Sequence, residues 1–199
     1  MKLLKFGTKI LKHSSKVVAA PTPSLPPNTI RCKFSAGYTP TMGDTQTLVD
    51  SANNIWDIYK ASNNWDSLFN SLNTDLLEVI SANTTNVTSM KWMFSYCTSL
   101  TTIPLFDTSN VTNMEVMFAY CNSLTSIPLF DTSNVVYMNG MFHCCFNVES
   151  GALALYQQAS TQANPPTVHA GCFNDCGIYT VTGAAELAQI PVSWGGLMV

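Results

Sequence analysis

The segment Asn86–Ser109 reads NVTSMKWMFSYCTSLTTIPLFDTS, and the following segment, Asn110–Ser133, reads NVTNMEVMFAYCNSLTSIPLFDTS. The two segments are identical at 18 of 24 positions. A third copy begins NVVYMNGMFHCC at Asn134 and diverges after Cys145. This period indicates a protein of stacked copies, because one copy cannot bury its own apolar side chains.

The pattern inside one copy predicts two local structures. Met90, Met93, Phe94 and Cys97 recur at steps of three, one and three, which is typical of one face of a short helical turn. The segment 100–105 then matches the leucine-rich-repeat pattern Leu-x-x-Ile-x-Leu and predicts a short strand. The predicted fold is therefore a short right-handed leucine-rich-repeat-like solenoid of mixed α/β character, with short strands and helical turns.

The same side chains should stack from copy to copy. We expect one column of phenylalanines and one column of buried thiols, formed by Phe94, Phe118 and Phe142 and by Cys97, Cys121 and Cys145. A free buried cysteine behaves as a small apolar residue. Cys97, Cys121 and Cys145 are therefore predicted to be core thiols, and disulfides are the alternative interpretation.

Five segments follow from the composition along the chain. Residues 1–20 form a cationic amphipathic arm, residues 21–33 a proline-rich linker, residues 34–62 an N-terminal cap, residues 63–150 the repeats and residues 151–199 a C-terminal cap. Caps are needed because the end copies of a stack have an uncovered apolar face.

The caps contain three predicted elements of secondary structure. Residues 55–59, IWDIY, alternate in the manner of a strand. Two short helices are expected in the C-terminal cap, over Gly151–Gln158 and Gly183–Ile190.

Charge is segregated along the chain. Residues 1–33 carry seven cations and no acid, whereas residues 34–199 carry two lysines and twelve acids. Lysines at steps of three and four lie on one face of a predicted helix, opposite apolar residues. The arm is therefore extended or helical, and its predicted partner-binding residues are Lys2, Leu3, Lys5, Phe6, Lys9, Ile10, Lys12 and Lys16. A solvated tail and a helix on a membrane surface remain alternatives.

The arm does not fit two other roles. Its lysines interrupt every apolar run, so no cleaved secretion signal is predicted. Aromatic side chains for base stacking are nearly absent, so nucleic acid is not an expected partner.

No catalytic, cofactor-binding or metal-binding residue is predicted. The densest group of possible metal ligands is His143, Cys144, Cys145, His169, Cys172 and Cys176. Cys145 and Cys176 occupy the buried position of the repeat, which argues against a zinc site there. A histidine beside a cysteine in sequence is no sign of an activated thiolate. The protein is therefore expected not to be an enzyme.

The aromatic residues outside the predicted core allow two interpretations. Trp92, Tyr96, Tyr120 and Tyr137 either line a binding face or cover the stack.

The units NVTNMEVMF, YCNSLTSI and LFDTSNVTNM resemble the BspA-like leucine-rich-repeat surface proteins over roughly residues 63–150. The flanks IRCKFSAGYTPTMGDTQTLVD and TGAAELAQIPVSWGG are more similar to versions found in structural proteins of gut bacteriophages. The resemblance implies a structural virion surface protein of a tailed phage, either a head fibre or a capsid-decorating protein.

In that role the arm would bind a capsid or other virion protein, several copies would assemble, and the repeats would meet a host surface or glycan. The alternative is an exported bacterial cell-surface adhesin.

Overall fold

The computed structural model describes residues 24–197. The predicted arm, with Lys2, Leu3, Lys5, Phe6, Lys9, Ile10, Lys12 and Lys16, lies outside the described residues. No helix within 24–197 is long and apolar enough to cross a lipid bilayer.

The N-terminal part of the body is a four-stranded antiparallel sheet. Its strands are β1 (Thr29–Phe34), β2 (Thr45–Asp50), β3 (Ile55–Tyr59) and β4 (Leu76–Asn83), in the order β2-β3-β1-β4. The strand predicted over residues 55–59 is confirmed as β3. Strand β1 begins inside the segment assigned to the linker, residues 21–33.

One face of the sheet closes the end of the core. Ile30, Cys32 and Phe34 alternate along β1 and are at most 1% exposed, as expected for a strand with one buried face. On the neighbouring strand Ile58 pairs with Ile30 and is also fully buried. The sheet thus caps the N-terminal end of the stack.

The repeats themselves are stacked turns. Backbone N–H groups of one copy donate to carbonyls of the next: Met90 to Asn113 at 2.9 Å, Met114 to Tyr137 at 2.8 Å. Isolated parallel bridges link Ser89 to Asn113 and Asn113 to Tyr137. Side chains therefore repeat in register from copy to copy.

The aromatic stacking is confirmed. The rings of Phe94 and Phe118 lie 5.2 Å apart, and those of Phe118 and Phe142 lie 5.3 Å apart, nearly parallel in both pairs. Phe69 and Phe173 extend the column at its two ends. All five rings are at most 1% exposed, so this column is the centre of the core.

The predicted leucine-rich-repeat-like solenoid is wrong. The regular elements in residues 24–197 are the antiparallel sheet, two α-helices and a three-residue 3-10 helix (Val192–Trp194), and neither a strand nor a helix lies between Thr84 and Gly151. The turn at Met90 does not continue as a helix because Trp92 and Tyr96 take left-handed φ angles of 61° and 62°. The expected strand at 100–105 is also missing, and Leu105 at its end is 65% exposed.

Two helices close the C-terminal end. Helix α1 (Ala152–Thr161) and helix α2 (Val181–Leu187) lie near the predicted Gly151–Gln158 and Gly183–Ile190, with shifted bounds. The Glu186 carboxylate on α2 accepts a hydrogen bond from Leu153 N at 3.1 Å. It thereby satisfies a backbone donor at the start of α1, where a negative charge is favourable.

Candidate functional site

The outer side of the repeats carries two columns of residues with left-handed backbone. The tyrosine column, as we call it, contains Ser71, Tyr96, Tyr120, Cys144 and Asp175, with φ between 58° and 63°. The second, the tryptophan column, contains Ser67, Trp92, Val116, Gly140 and Gly171, with φ between 57° and 62°. Repetition of one unusual φ places successive side chains at equivalent points of the surface.

Backbone hydrogen bonds hold the tyrosine column in place. Tyr96 N donates to Ala119 O at 2.9 Å, Tyr120 N to His143 O at 2.8 Å, and Cys144 N to Asn174 O at 2.8 Å. A left-handed non-glycine residue persists only where its surroundings determine its conformation. The hydrogen bonds that these residues donate to the next level of the stack supply that constraint.

Three aromatic residues of the columns, Trp92, Tyr96 and Tyr120, are partly exposed, as is Tyr137, which lies outside the columns. Tyr96 stacks on Tyr120 with ring centroids 4.4 Å apart, and Tyr96 is 42% exposed. Trp92 and Tyr137 are 39% and 44% exposed. The core beneath is closed by its own phenylalanines, so these four residues offer aromatic surface to solvent, which fits the binding-face interpretation better than the cover.

At the C-terminal end of the tyrosine column the residue types change. His143 Nε2 lies 3.3 Å from Cys144 Sγ, and Cys144 Sγ lies 4.0 Å from Asp175 Oδ2. One ligand atom from each of the three residues lies within 4.8 Å of the other two. We call this group the His–Cys–Asp cluster.

Two neighbours orient the His–Cys–Asp cluster. Asn174 Nδ2 lies 3.2 Å from His143 Nδ1 and 3.2 Å from Asp175 Oδ2. Tyr120 Oη lies 3.3 Å from His143 Nε2, with its ring edge-on to the imidazole.

The remaining cysteines are structural. All seven are free and buried, as the sequence predicted for the repeat positions. Cys97, Cys121 and Cys145 donate Sγ–H to the carbonyls of Phe69, Phe94 and Phe118 at 3.2, 3.2 and 3.0 Å. Burial raises the pKa of Cys97 and of Cys145 to about 12, so these thiols stay protonated at neutral pH.

Cys144 differs from the other six. It is 8% exposed and lies outside the hydrophobic core cluster. Burial, and then the Asp175 carboxylate, raise the pKa of its thiol. A catalytic cysteine needs a lowered pKa, so the raised pKa of the Cys144 thiol does not favour a cysteine nucleophile.

Of the six zinc ligands weighed from the sequence, His143 and Cys144 belong to the His–Cys–Asp cluster, whereas Cys145, His169, Cys172 and Cys176 do not. His169 instead stacks on Trp194 with ring centroids 4.1 Å apart. Within the described part of the chain, the His–Cys–Asp cluster is the one group of three or more such ligands close enough to share an ion. Sequence reasoning considered His143 and Cys144 but missed Asp175. The one signal for Asp175 is that it precedes Cys176, just as Cys144 precedes Cys145 in the third copy.

A comparison with protein-family models gives a match. A family model described as "Mycoplasma protein of unknown function, DUF285" matches residues 46–164. No curated protein and no solved structure matches the chain. The match spans more than half of the 199 residues and includes the copies that resemble BspA-like repeats. The chain therefore belongs to the DUF285 family.

Proposed function

We propose that the protein is a non-enzymatic structural protein of a phage virion surface, a head fibre or capsid-decorating protein anchored by residues 1–20. The observation that carries the proposal is the segregation of charge. Arg31 belongs to the body, where it forms a bidentate ion pair with Asp57: Nε donates to Oδ1 at 2.7 Å and Nη2 to Oδ2 at 2.8 Å. Lys33 also belongs to the body, because it lies in β1. Five lysines precede the body and carry a charge of +5. Because the net charge of the whole chain is −3, residues 17–199 carry a net charge of −8.

This separation suits a protein that is attached at one end. Ser24 and Leu25 line a surface depression beside Arg31, and Asn83 Nδ2 donates to Leu25 O at 2.8 Å. The first described residues, 24 and 25, therefore lie at a fixed point on the sheet, next to β1 and β4. An acidic surface on a capsid or other virion protein is the partner that matches the charge of the arm.

Both parts of the arm would contribute to attachment. Burying Leu3, Phe6 or Ile10 would contribute about 1.5–3 kcal/mol each. Each lysine would add about 0.2–1 kcal/mol, and added salt would weaken that part. Symmetric attachment to a particle would bring several copies together, so we expect a homo-oligomer on the virion.

The tyrosine and tryptophan columns are the proposed contact surface of the body. Half-exposed aromatic rings combine apolar area with a polar edge, which is typical of recognition surfaces. We expect this surface to meet a host-surface molecule or glycan.

An exported bacterial cell-surface adhesin is the second candidate. Membership of the DUF285 family, through the BspA-like copies, supports a surface role without distinguishing a virion from a cell.

Attachment can be tested with variants that change charge but keep length. Replacing the lysines at 2, 5, 9, 12 and 16 by glutamine should lower the number of copies per purified particle, measured by quantitative mass spectrometry. Replacement of the same five by arginine is the matched control and should retain attachment. Circular dichroism of each variant checks that the body is folded.

Two outcomes would contradict the proposal. The first is normal incorporation of a chain lacking residues 2–20. The second is recovery of the protein from bacterial envelopes, with a cleaved N-terminus and absent from particles, which would favour the adhesin.

A further inference from the structure

We propose that His143, Cys144 and Asp175 form a binding site for a zinc-type divalent metal ion on the outer side of the repeats. The site lies in the described body, and it does not depend on the proposed virion role. Three different donors converge there: an imidazole nitrogen, a thiol sulfur and a carboxylate oxygen. Zinc accepts this mixture, whereas Mg²⁺ and Ca²⁺ prefer oxygen ligands alone.

The stack creates the convergence. Cys144 and Asp175 occupy successive positions of the tyrosine column, and His143 and Asn174 precede them. In the two earlier copies the column carries tyrosine, so the fold itself does not require a thiol or a carboxylate at this position. Replacing tyrosine by cysteine at 144 and by aspartate at 175 therefore places two ligands on successive copies of the stack while the left-handed φ of the column is kept.

The distances fit a tetrahedral ion. Metal–ligand bonds of about 2.0 Å to nitrogen or oxygen and about 2.3 Å to sulfur imply ligand separations of roughly 3.3–3.8 Å. The Nε2–Sγ separation is 3.3 Å and the Sγ–Oδ2 separation is 4.0 Å. All three ligand atoms lie within 4.8 Å of one another. Side-chain shifts of about 1 Å in total, on the scale of ordinary thermal motion, would bring them to these separations.

Asn174 completes the surroundings that a histidine ligand needs. Its side-chain amide contacts His143 Nδ1, which leaves Nε2 facing Cys144 Sγ and Tyr120 Oη, each 3.3 Å away. Turning the amide gives up the Nδ2 bond to Asp175 Oδ2 and lets the amide oxygen accept Nδ1–H, the arrangement that orients most metal-bound histidines; the ion would then take the place of the lost donor at the Asp175 carboxylate.

The neighbouring tryptophan column has no side chains beside the cluster. The tryptophan column carries Trp92 and Val116 in the first two copies but Gly140 and Gly171 at the two levels of the cluster. A Cβ atom at 140 would lie 3.9 Å from His143 Cβ, and one at 171 would lie 3.7 Å from Asn174 Cβ. Glycine therefore leaves free the space beside the ligands that larger side chains would fill.

Charge also balances in the bound state. Binding releases the Cys144 thiol proton to solvent, so a thiolate and the Asp175 carboxylate together neutralise a divalent ion. The imidazole remains neutral, and water takes the fourth position.

The test uses the full-length chain, purified under reducing conditions and stripped of metal. Titration with Co²⁺ should give one equivalent of binding, with the absorption of a cobalt–thiolate bond and the intense visible bands of tetrahedral cobalt. Zn²⁺ should displace the cobalt, and millimolar Mg²⁺ should not. A chain without a cobalt–thiolate band would overturn the proposal.

Variants locate the site. Cys144→Tyr restores the residue of the first two copies, so it should fold and should bind Zn²⁺ more than about 100-fold more weakly, since loss of a ligand exceeds the roughly 10–100-fold effect of an outer partner. Asp175→Asn should also bind more weakly, and Asn174→Ala less severely so. Glu149→Gln removes an exposed carboxylate of the same copy and should bind as the wild type does. Unchanged zinc affinity in Cys144→Tyr, with its fold verified by circular dichroism, would refute the assignment.

Discussion

Truncation of Phe118 tests whether the aromatic column holds the stack together. Its ring is fully buried and lies 5.2 Å from Phe94, 5.3 Å from Phe142 and 6.0 Å from Phe130. Phe→Ala in a core costs about 3–5 kcal/mol, and aromatic pairs contribute about 0.5–1.5 kcal/mol each beyond their burial. Because Phe118 has three aromatic partners, we expect the cost of Phe118→Ala to lie near the upper end of this range, at about 4–5 kcal/mol. That is a large share of a typical free energy of unfolding, about 5–15 kcal/mol.

Urea unfolding of the full chain, followed by circular dichroism and tryptophan fluorescence, measures this loss. Tyr96→Ala is the matched control, because Tyr96 is 42% exposed and stacks closely on one ring only, that of Tyr120. Its expected cost is about 1 kcal/mol. If Phe118→Ala lowers the free energy of unfolding no more than Tyr96→Ala does, the buried column is not what stabilises the stack.

Three further predictions concern other contacts. Gly151→Ala should lower the free energy of unfolding by more than about 2 kcal/mol, since φ is 101° and the new Cβ would meet Ile127 O at 2.2 Å; an unchanged melting temperature would contradict this. Thr108→Val removes a 2.8 Å hydrogen bond to Asp131 O and should cost about 1–2 kcal/mol in urea unfolding, so a neutral result would count against it. Burial raises the pKa of the Cys97 thiol from 9.0 to about 12, so the stability that this protonated thiol contributes is full below pH 9 and falls by about 1.4 kcal/mol per pH unit between pH 9 and 12. Because other buried thiols, such as Cys145, contribute in the same way, Cys97→Ala should make the pH dependence of the urea midpoint less steep without removing it, and an equally steep dependence would disprove the cause.

The sequence predicts the internal period and the interior correctly. Identity between copies requires equivalent side chains to occupy equivalent positions, so Phe94, Phe118 and Phe142 had to meet if the copies stacked. Alternation identified the strand at 55–59, and the two C-terminal helices were found within a few residues. These features depend on local pattern or on repetition, and both are visible in one chain.

The backbone within each copy could not be predicted in the same way. Apolar residues spaced three and four positions apart indicate a helical turn. Tryptophan and tyrosine have no intrinsic preference for a left-handed φ, so Trp92 and Tyr96 give no sign of it in the sequence. That conformation is imposed by hydrogen bonds from the next copy, a contact between residues 23 positions apart in the case of Tyr96 and Ala119. A local pattern therefore gives the right buried residues and the wrong secondary structure.

The His–Cys–Asp cluster shows how departures from a repeat become informative once the columns are known. Cys144 and Asp175 are 31 residues apart, not 24, because helix α1 is inserted between the last two levels of the stack. Spacing in the sequence therefore hides their relation, whereas the bond from Cys144 N to Asn174 O reveals it. Since the same backbone accepts tyrosine at Tyr96 and Tyr120, the thiol and carboxylate are not needed for folding. Their proximity is best explained by a ligand, and the cobalt titration is the measurement that decides it.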